Sequence, residues 1–197
     1  MIFIYFYVII TPAHNSKNNY GGLKRMPKKT KEALISAFLE LVKKDDFDRI
    51  TVTDLVEKCG ISRQTFYYHF DDIHQMLDWA FEAETKSICA LQNPDDWGAT
   101  EEKYIEFFNK YDVMLRKALK SIRFIGVFNR IEKSFYDCIT SYIAAKRSAD
   151  QNFGKNADYV ISYTAGAYTA LVVKTIQEEK SDYETIIKNL GTSLKGI

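Results

Sequence analysis

Little in this chain could serve a catalyst. Histidines stand only at 14, 69 and 74, and no HExxH, GxSxG, P-loop or Rossmann pattern accompanies them. No acid–base, nucleophilic or phosphate-cradling constellation can be assembled, and no metal-ligand cluster either, so neither an enzymatic activity nor a cofactor is expected. Cysteine is scarce: Cys59, Cys89 and Cys138 form no CxxC pair, and their odd number argues against a disulfide framework. Three ordinary buried thiols in a reducing cytoplasm are expected, with a redox-sensing role for Cys89 or Cys138 as the alternative. Nine glycines and three prolines in 197 residues leave few breaks. Charge of one sign is not in excess: 27 basic against 26 acidic residues give +1, which excludes a strongly basic, non-specific polyanion binder. The apolar run Met1–Ile10 is too short to span a bilayer and lacks the basic flank of a signal peptide.

What is present is amphipathic helix. The chain is 46% hydrophobic, enough for a full core, and the periodicity predicts an all-α protein of about nine helices. Residues 1–25 read as a non-native or disordered extension, since Met26-Pro27-Lys28-Lys29-Thr30 begins like a natural start; an interfacial amphipathic tail is the alternative. Lys28–Lys44 is the first helix, with Leu34, Ala37, Phe38, Leu41 and Val42 as its apolar stripe. Further helices are expected over Asp72–Leu91, Thr100–Leu119, Ser121–Ile131, Glu132–Ser148 and Ala157–Glu179. A last one, opened by the capping box Ser181-Asp182-Tyr183-Glu184, runs to about Leu194. Loops are read at Asn93–Gly98 and Asn152–Gly154.

Ile50–Phe81 carries most information. Thr51 with Asp54 three residues on forms a capping-box pattern, and Val52, Leu55 and Val56 give the helix that follows one apolar face. Gly60 can adopt the left-handed backbone that ends it. Ser62 caps the next helix, Arg63–Phe70, in which Phe66 and Phe70 face inward beside Ile61. Arg63, Gln64, Thr65, Tyr67, Tyr68 and His69 then point elsewhere; all can hydrogen-bond and none is acidic. A helix entering a major groove needs such a set: Arg, Gln and Thr for base edges, hydroxyls and an imidazole for phosphates. Two short helices joined by a tight turn also have the dimensions of a DNA-reading helix-turn-helix. An unrelated helical hairpin is the plainer alternative.

These residues, I-T-V-x-D-L at 50–55 and G-I-S-R-x-T-F-Y-Y-H-F at 60–70, resemble the N-terminal domain of the TetR/AcrR family of transcriptional regulators. The resemblance covers roughly 28–81. It implies a three-helix DNA-binding domain over 26–80, a helical regulatory and dimerisation domain over 81–197, and a homodimer on a palindromic double-stranded operator, acting most simply as a repressor. By position it assigns Thr51, Ser62, Arg63, Gln64, Thr65, Tyr67, Tyr68, His69 and Lys28 to DNA. Ile73 stands where the family commonly has a phosphate-binding Lys, with His74 next to it. The D-I-x-x-(L/M)-L variant at 72–77 is similar to a branch that includes an activator of dihydroxyacetone kinase genes, which works through a protein coactivator. The 26–72 segment holds eight Lys/Arg against nine Asp/Glu, so its DNA affinity must come from well-placed groups and helix N-termini; an interaction module that keeps the fold with weakened DNA binding is the alternative.

Two further expectations concern the C-terminal part. The family builds its dimer from the last two helices, which here offer Tyr163, Ala167, Ala170, Leu171, Ile186 and Leu190. Alternatively, the small residues Ala165-Gly166-Ala167 admit a helix of the same chain. The family also encloses an effector, and the aromatic middle would line such a pocket with Phe107, Tyr111, Phe124 and Phe128; plain core is the competing reading. An open cavity there would favour a small-molecule effector. A filled core with an exposed apolar patch would favour a protein coactivator.

Overall fold

The computed structural model describes residues 28–91, 97–121, 124–149, 157–178 and 182–195. Regular structure among them is entirely helical: α1 (Lys28–Lys44), α2 (Val52–Cys59), α3 (Arg63–Tyr67), α4 (Ile73–Cys89), α5 (Gly98–Leu119), α6 (Phe124–Ala149), α7 (Ala157–Gln177) and α8 (Tyr183–Lys195), with a 3₁₀ turn at Phe47–Arg49. No described helix is long and apolar enough to cross a membrane. The expected N-terminal extension, the break at 152–154 and most of the 93–98 loop lie outside the described residues.

The expected stripe of α1 is buried except for half-buried Leu41, with Leu34, Phe38 and Val42 fully so. Spaced by four, they form one ridge along the helix. Phe38 meets Phe47 of the 3₁₀ turn edge to face at 5.5 Å. Helix α5 is the central pillar. It packs against α1, α4, α6, α7, α8 and the 3₁₀ turn, and Tyr104, Phe108, Met114, Leu115 and Ala118 are all buried along it. Lys117 at its far end donates to the Asp45 carbonyl at 2.9 Å, tying the pillar to the turn after α1.

Three features depart from the sequence reading. The two helices expected over 121–148 are one, α6. No Gly, Pro or capping residue interrupts Ile131-Glu132, and Ile131, Phe135, Cys138, Ile139 and Tyr142 continue one buried face across the supposed break. Second, α8 is opened by Asp182, which accepts from the Thr185 N–H at 3.1 Å; Ser181 lies outside the described residues. Third, Cys89 and Cys138 are joined as a disulfide, with Cα atoms 5.0 Å apart. Helices α4 and α6 run side by side in the same direction and bring the two thiols together across 49 residues of sequence. Cys59 is the odd cysteine. Its half-buried thiol donates to the Ala33 carbonyl at 3.6 Å, and burial pushes it above the ordinary thiol range.

Candidate nucleic-acid interface

Successive caps fix the 50–75 segment. The Thr51 hydroxyl donates to Asp54 at 2.6 Å and accepts from the Asp54 N–H at 3.3 Å, while the Asp54 carboxylate takes the Thr51 N–H at 2.8 Å. These bonds hold the Asp54 carboxyl below its usual value, the hydroxyl contributing most. Gly60 closes α2 at φ 65°, ψ 33°, a left-handed conformation that a Cβ would strain. Ser62 accepts from the Thr65 N–H at 3.0 Å to open α3. Asp72 accepts from the Gln75 N–H at 2.8 Å to open α4. The Gln75 side chain reaches back to Asp71, accepting from its N–H at 2.6 Å and donating to its carboxylate at 3.0 Å. Each cap satisfies backbone groups that a helix end leaves open and contributes about 1 kcal/mol.

Helix α3 is shorter than its sequence suggests. Regular α geometry stops at Tyr67, but the Phe70 N–H still donates to the Phe66 carbonyl at 3.0 Å, so the turn winds on through His69. Phe66 and Phe70 are its buried anchors, with ring centroids 5.8 Å apart. On the other side Tyr67 is 55% and Tyr68 48% exposed, and Arg63 and Gln64 are exposed as well. Arg63 lays its guanidinium against the Thr53 hydroxyl of α2, donating to it, which leaves other N–H groups of the fork to face outward. Thr65 shares a hydrogen bond with Ser62 at 2.7 Å. Six of the residues singled out for DNA (Ser62, Arg63, Gln64, Thr65, Tyr67 and Tyr68) thus lie on one short segment, and Thr51 opens the neighbouring helix. Lys28 begins α1, but its side chain lies outside the described residues.

His69 is half-buried, its ring edge-on to Tyr68 at 4.4 Å. Burial, then the nearby Lys31 charge, lowers its pKa below the ordinary imidazole value. That shift favours the neutral imidazole, which meets a phosphate through an N–H dipole. Lys31 itself is a brace that sequence reasoning missed. Its ammonium stands 5.0 Å from the ring centroids of both Phe70 and Trp79, pinning α1 over the end of the reading turn and over α4. Helical spacing alone does not reveal this contact, because Phe70 and Trp79 belong to elements far along the chain. Ile73 and His74 are both half-buried at the start of α4.

Residues 30–78, the span holding all of these caps, match the family model of the N-terminal domain of the tetR family of bacterial regulatory proteins. The chain is similar to the HTH-type dhaKLM operon transcriptional activator DhaS of Lactococcus lactis subsp. lactis (strain IL1403), at 24% identity over 157 residues, covering 75% of this chain and 79% of that protein. An uncharacterized HTH-type transcriptional regulator of Bacillus subtilis (strain 168), YxbF, is 28% identical over 107 residues, which span 52% of this chain and 27% of the relative. Residues 30–78 thus carry the TetR-family N-terminal domain, and the chain as a whole is similar to regulators of that kind. The likeness of fold extends beyond the matched domain. The solved dihydroxyacetone kinase operon activator DhaS superposes with a TM-score of 0.70 at 17% identity, over 85% of this chain and 94% of that one. A chain from Syntrophomonas wolfei str. Goettingen assigned to the TetR family superposes at 0.63 with 15% identity, over 86% and 95%. Both sequence relatives are described as HTH-type transcriptional regulators.

Helix α4 runs from the turn after α3 into the C-terminal helices. Aromatic side chains pack around it, and Tyr111 also borders a cleft between α1, α4 and α5 lined by Ile35, Trp79, Ala80 and Lys110. Phe107 and Tyr111 are buried and pack on Phe81 and on each other, with centroids 4.9–5.8 Å apart. The Tyr111 hydroxyl donates to Glu84 at 3.1 Å. Burial and the adjacent Glu84 carboxylate both push the phenol far above its ordinary value. Phe128 is half-buried, and the Phe124 side chain lies outside the described residues. The two described arginines of this region are committed to acids: Arg116 to Asp112 at 2.8 Å, and Arg130 to Asp78 of α4.

On α7, Tyr159 is 82% and Tyr163 78% exposed. Leu171 and Ala170 are exposed further along the same helix, with Ala167 half-buried between. Small residues serve both sides of α7. Ala165 is buried, and a Cβ on Gly166 would meet Glu132 of α6 at 3.8 Å, whereas Ala170 looks outward. On α8, Ile186 is half-buried, but Leu190 is fully buried within its own protomer. That burial removes it from any surface a second copy could cover.

Proposed function

We propose that this chain is a sequence-specific DNA-binding regulator that works as a homodimer on a two-fold operator, each subunit setting the 62–69 turn in a major groove. One observation carries the reading: a segment anchored by buried Phe66 and Phe70 presents Arg63, Gln64, Tyr67 and Tyr68 to solvent, all hydrogen-bonding and none acidic. Arg63, Gln64 and Thr65 read base edges. Tyr67, Tyr68, His69 and Thr51, with the N-terminal N–H groups of α2, hold the phosphate backbone. Lys28 belongs to the arm leading into α1. Residues 26–80 form the DNA-binding unit and 81–197 the regulatory and pairing unit, with α4 crossing between them. The exposed face of α7 supplies the dimer contact. A change on the C-terminal side acts by tilting α4 and so altering the separation of two reading heads.

Control through a protein partner is the reading of the C-terminal unit that the observations favour over a small-molecule effector. Phe107 and Tyr111 are buried against Phe81, and exposed aromatic surface lies on α7. A relative that shares most of its length with this chain is described as a transcriptional activator, so activation, not repression, is the mode we assign. The test is selection of bound sequences from random duplex DNA by the full chain, followed by a reporter carrying the selected site. A two-fold consensus whose affinity falls steeply with salt, and a reporter that rises with the protein, are expected. No enrichment over unselected DNA would refute the DNA reading; a reporter that falls would restore repression.

A further inference from the structure

Helices α4 and α6 are joined by three successive rungs. Asp78 pairs with Arg130 near the reading head. Thr85 donates to the Ser134 hydroxyl at 2.9 Å in the middle. Cys89 is bonded to Cys138 at the far end. The first two rungs are non-covalent and yield to tilting; the third does not. Cys89 is the last residue of α4 and half-buried, so a small oxidant can reach it, whereas Cys138 is completely buried. The asymmetry fits a reactive thiol paired with a resolving one. DNA lies in a compartment where thiols are held reduced, and a disulfide there is transient and sensing more often than structural.

We propose that Cys89 and Cys138 form a redox-active dithiol that takes a small hydroperoxide as its oxidant, and that their oxidation fixes α4 on α6 and resets DNA binding. The Cys89 thiol gives up its proton and the thiolate attacks the terminal peroxide oxygen; the O–O bond breaks, and the departing alkoxide, or hydroxide from hydrogen peroxide, takes up that proton to leave as an alcohol or water. The Cys138 sulfur then attacks the Cys89 sulfenic acid; the S–O bond breaks, the S–S bond forms and water leaves. Two thiols lose two electrons in total and the peroxide gains them. Because α4 begins at Ile73, three residues after the turn's last hydrogen bond at Phe70, a covalent clamp at its other end restricts the pivot on which that turn rides. The effect on DNA rests on the DNA-binding function proposed above; formation of the bond does not.

The experiment uses the full chain in a Cys59→Ser background, reduced and then treated with hydrogen peroxide. Peptide mapping without reductant is expected to show the Cys89–Cys138 linkage, and amide exchange along α4 to slow. Affinity for a duplex selected from random DNA by the reduced chain is expected to differ by about fivefold or more between the two states and to return on reduction. Cys89→Ser and Cys138→Ala variants that retain full helicity are expected to lose the response. Peroxide that leaves both thiols unlinked, or a linked chain that binds DNA as the reduced one does, would overturn the proposal. If neither state binds DNA, the DNA-binding function fails and the switch on it fails too, while linkage and slower exchange would still establish the dithiol and the clamp.

Discussion

Arg63 and Tyr68 sit five residues apart on the reading turn, yet their chemistry assigns them different work. The Arg63 fork can take two acceptors of one guanine edge, whereas a tyrosine hydroxyl on a phosphate carries no base information. Arg63→Ala is therefore expected to cost about 1–3 kcal/mol on the selected site and to relax base preference at one position. Tyr68→Phe should weaken selected and random duplexes by the same factor. Both side chains are exposed, so melting should move little in either variant. Competition binding against random DNA checks the division, and an equal loss on both DNAs for Arg63→Ala would contradict it. A second prediction concerns acid. The folded-state pKa of Asp54 is depressed, so its contribution is complete above its ordinary value of 3.8 and is lost as pH falls through the lower folded value. Amide exchange at the start of α2 should accelerate in that window, and Asp54→Asn should flatten the dependence. An unchanged pH profile in the variant would show that the cap does not titrate there.

At the scale of elements, helix ends were legible where they are written locally. Thr51, Gly60, Ser62 and Asp72 each act within four residues of themselves, and sequence is sufficient for contacts of that range. Continuity of α6 was harder, because an unbroken helix is signalled only by the absence of a stop. Closeness of approach was not legible at all. Gly191 reads as a weak point in α8, yet a Cβ there would stand 2.6 Å from Cδ1 of Trp97 and closer still to the Glu101 carboxylate. Alanine would add about 1 kcal/mol of helix propensity. Glu101 can swing aside, but Trp97 is buried with its ring edge-on to Tyr142 at 4.9 Å, so α8 must back away from α5. Gly191→Ala is expected to destabilise by about 1–3 kcal/mol despite its better propensity. A thermal midpoint above that of the parent would show that the α5–α8 seam is looser than described.

For the whole molecule, periodicity established which residues are apolar on one face but not what covers that face. Phe107 and Tyr111 satisfy a pocket and a core equally well by spacing; their partners Phe81 and Glu84, brought in by α4, are what spacing cannot supply. The same ambiguity holds for the last two helices, where Leu190 turns into its own protomer while Tyr163 and Leu171 stay outside. Their exposure supports a pairing face on α7, and a closed two-fold interface sets each such residue near its symmetry mate's patch. Introducing carboxylates at both positions, Tyr163→Glu with Leu171→Glu, would bring four like charges into one desolvated interface. The protomer's buried core is untouched, so helicity should persist. Sedimentation should then report a monomer at concentrations where the parent is a dimer. Affinity for a two-half-site duplex should drop toward that for a single half-site, because the second reading head is no longer carried on the same particle. A double variant that still sediments as a dimer would move the pairing face off α7.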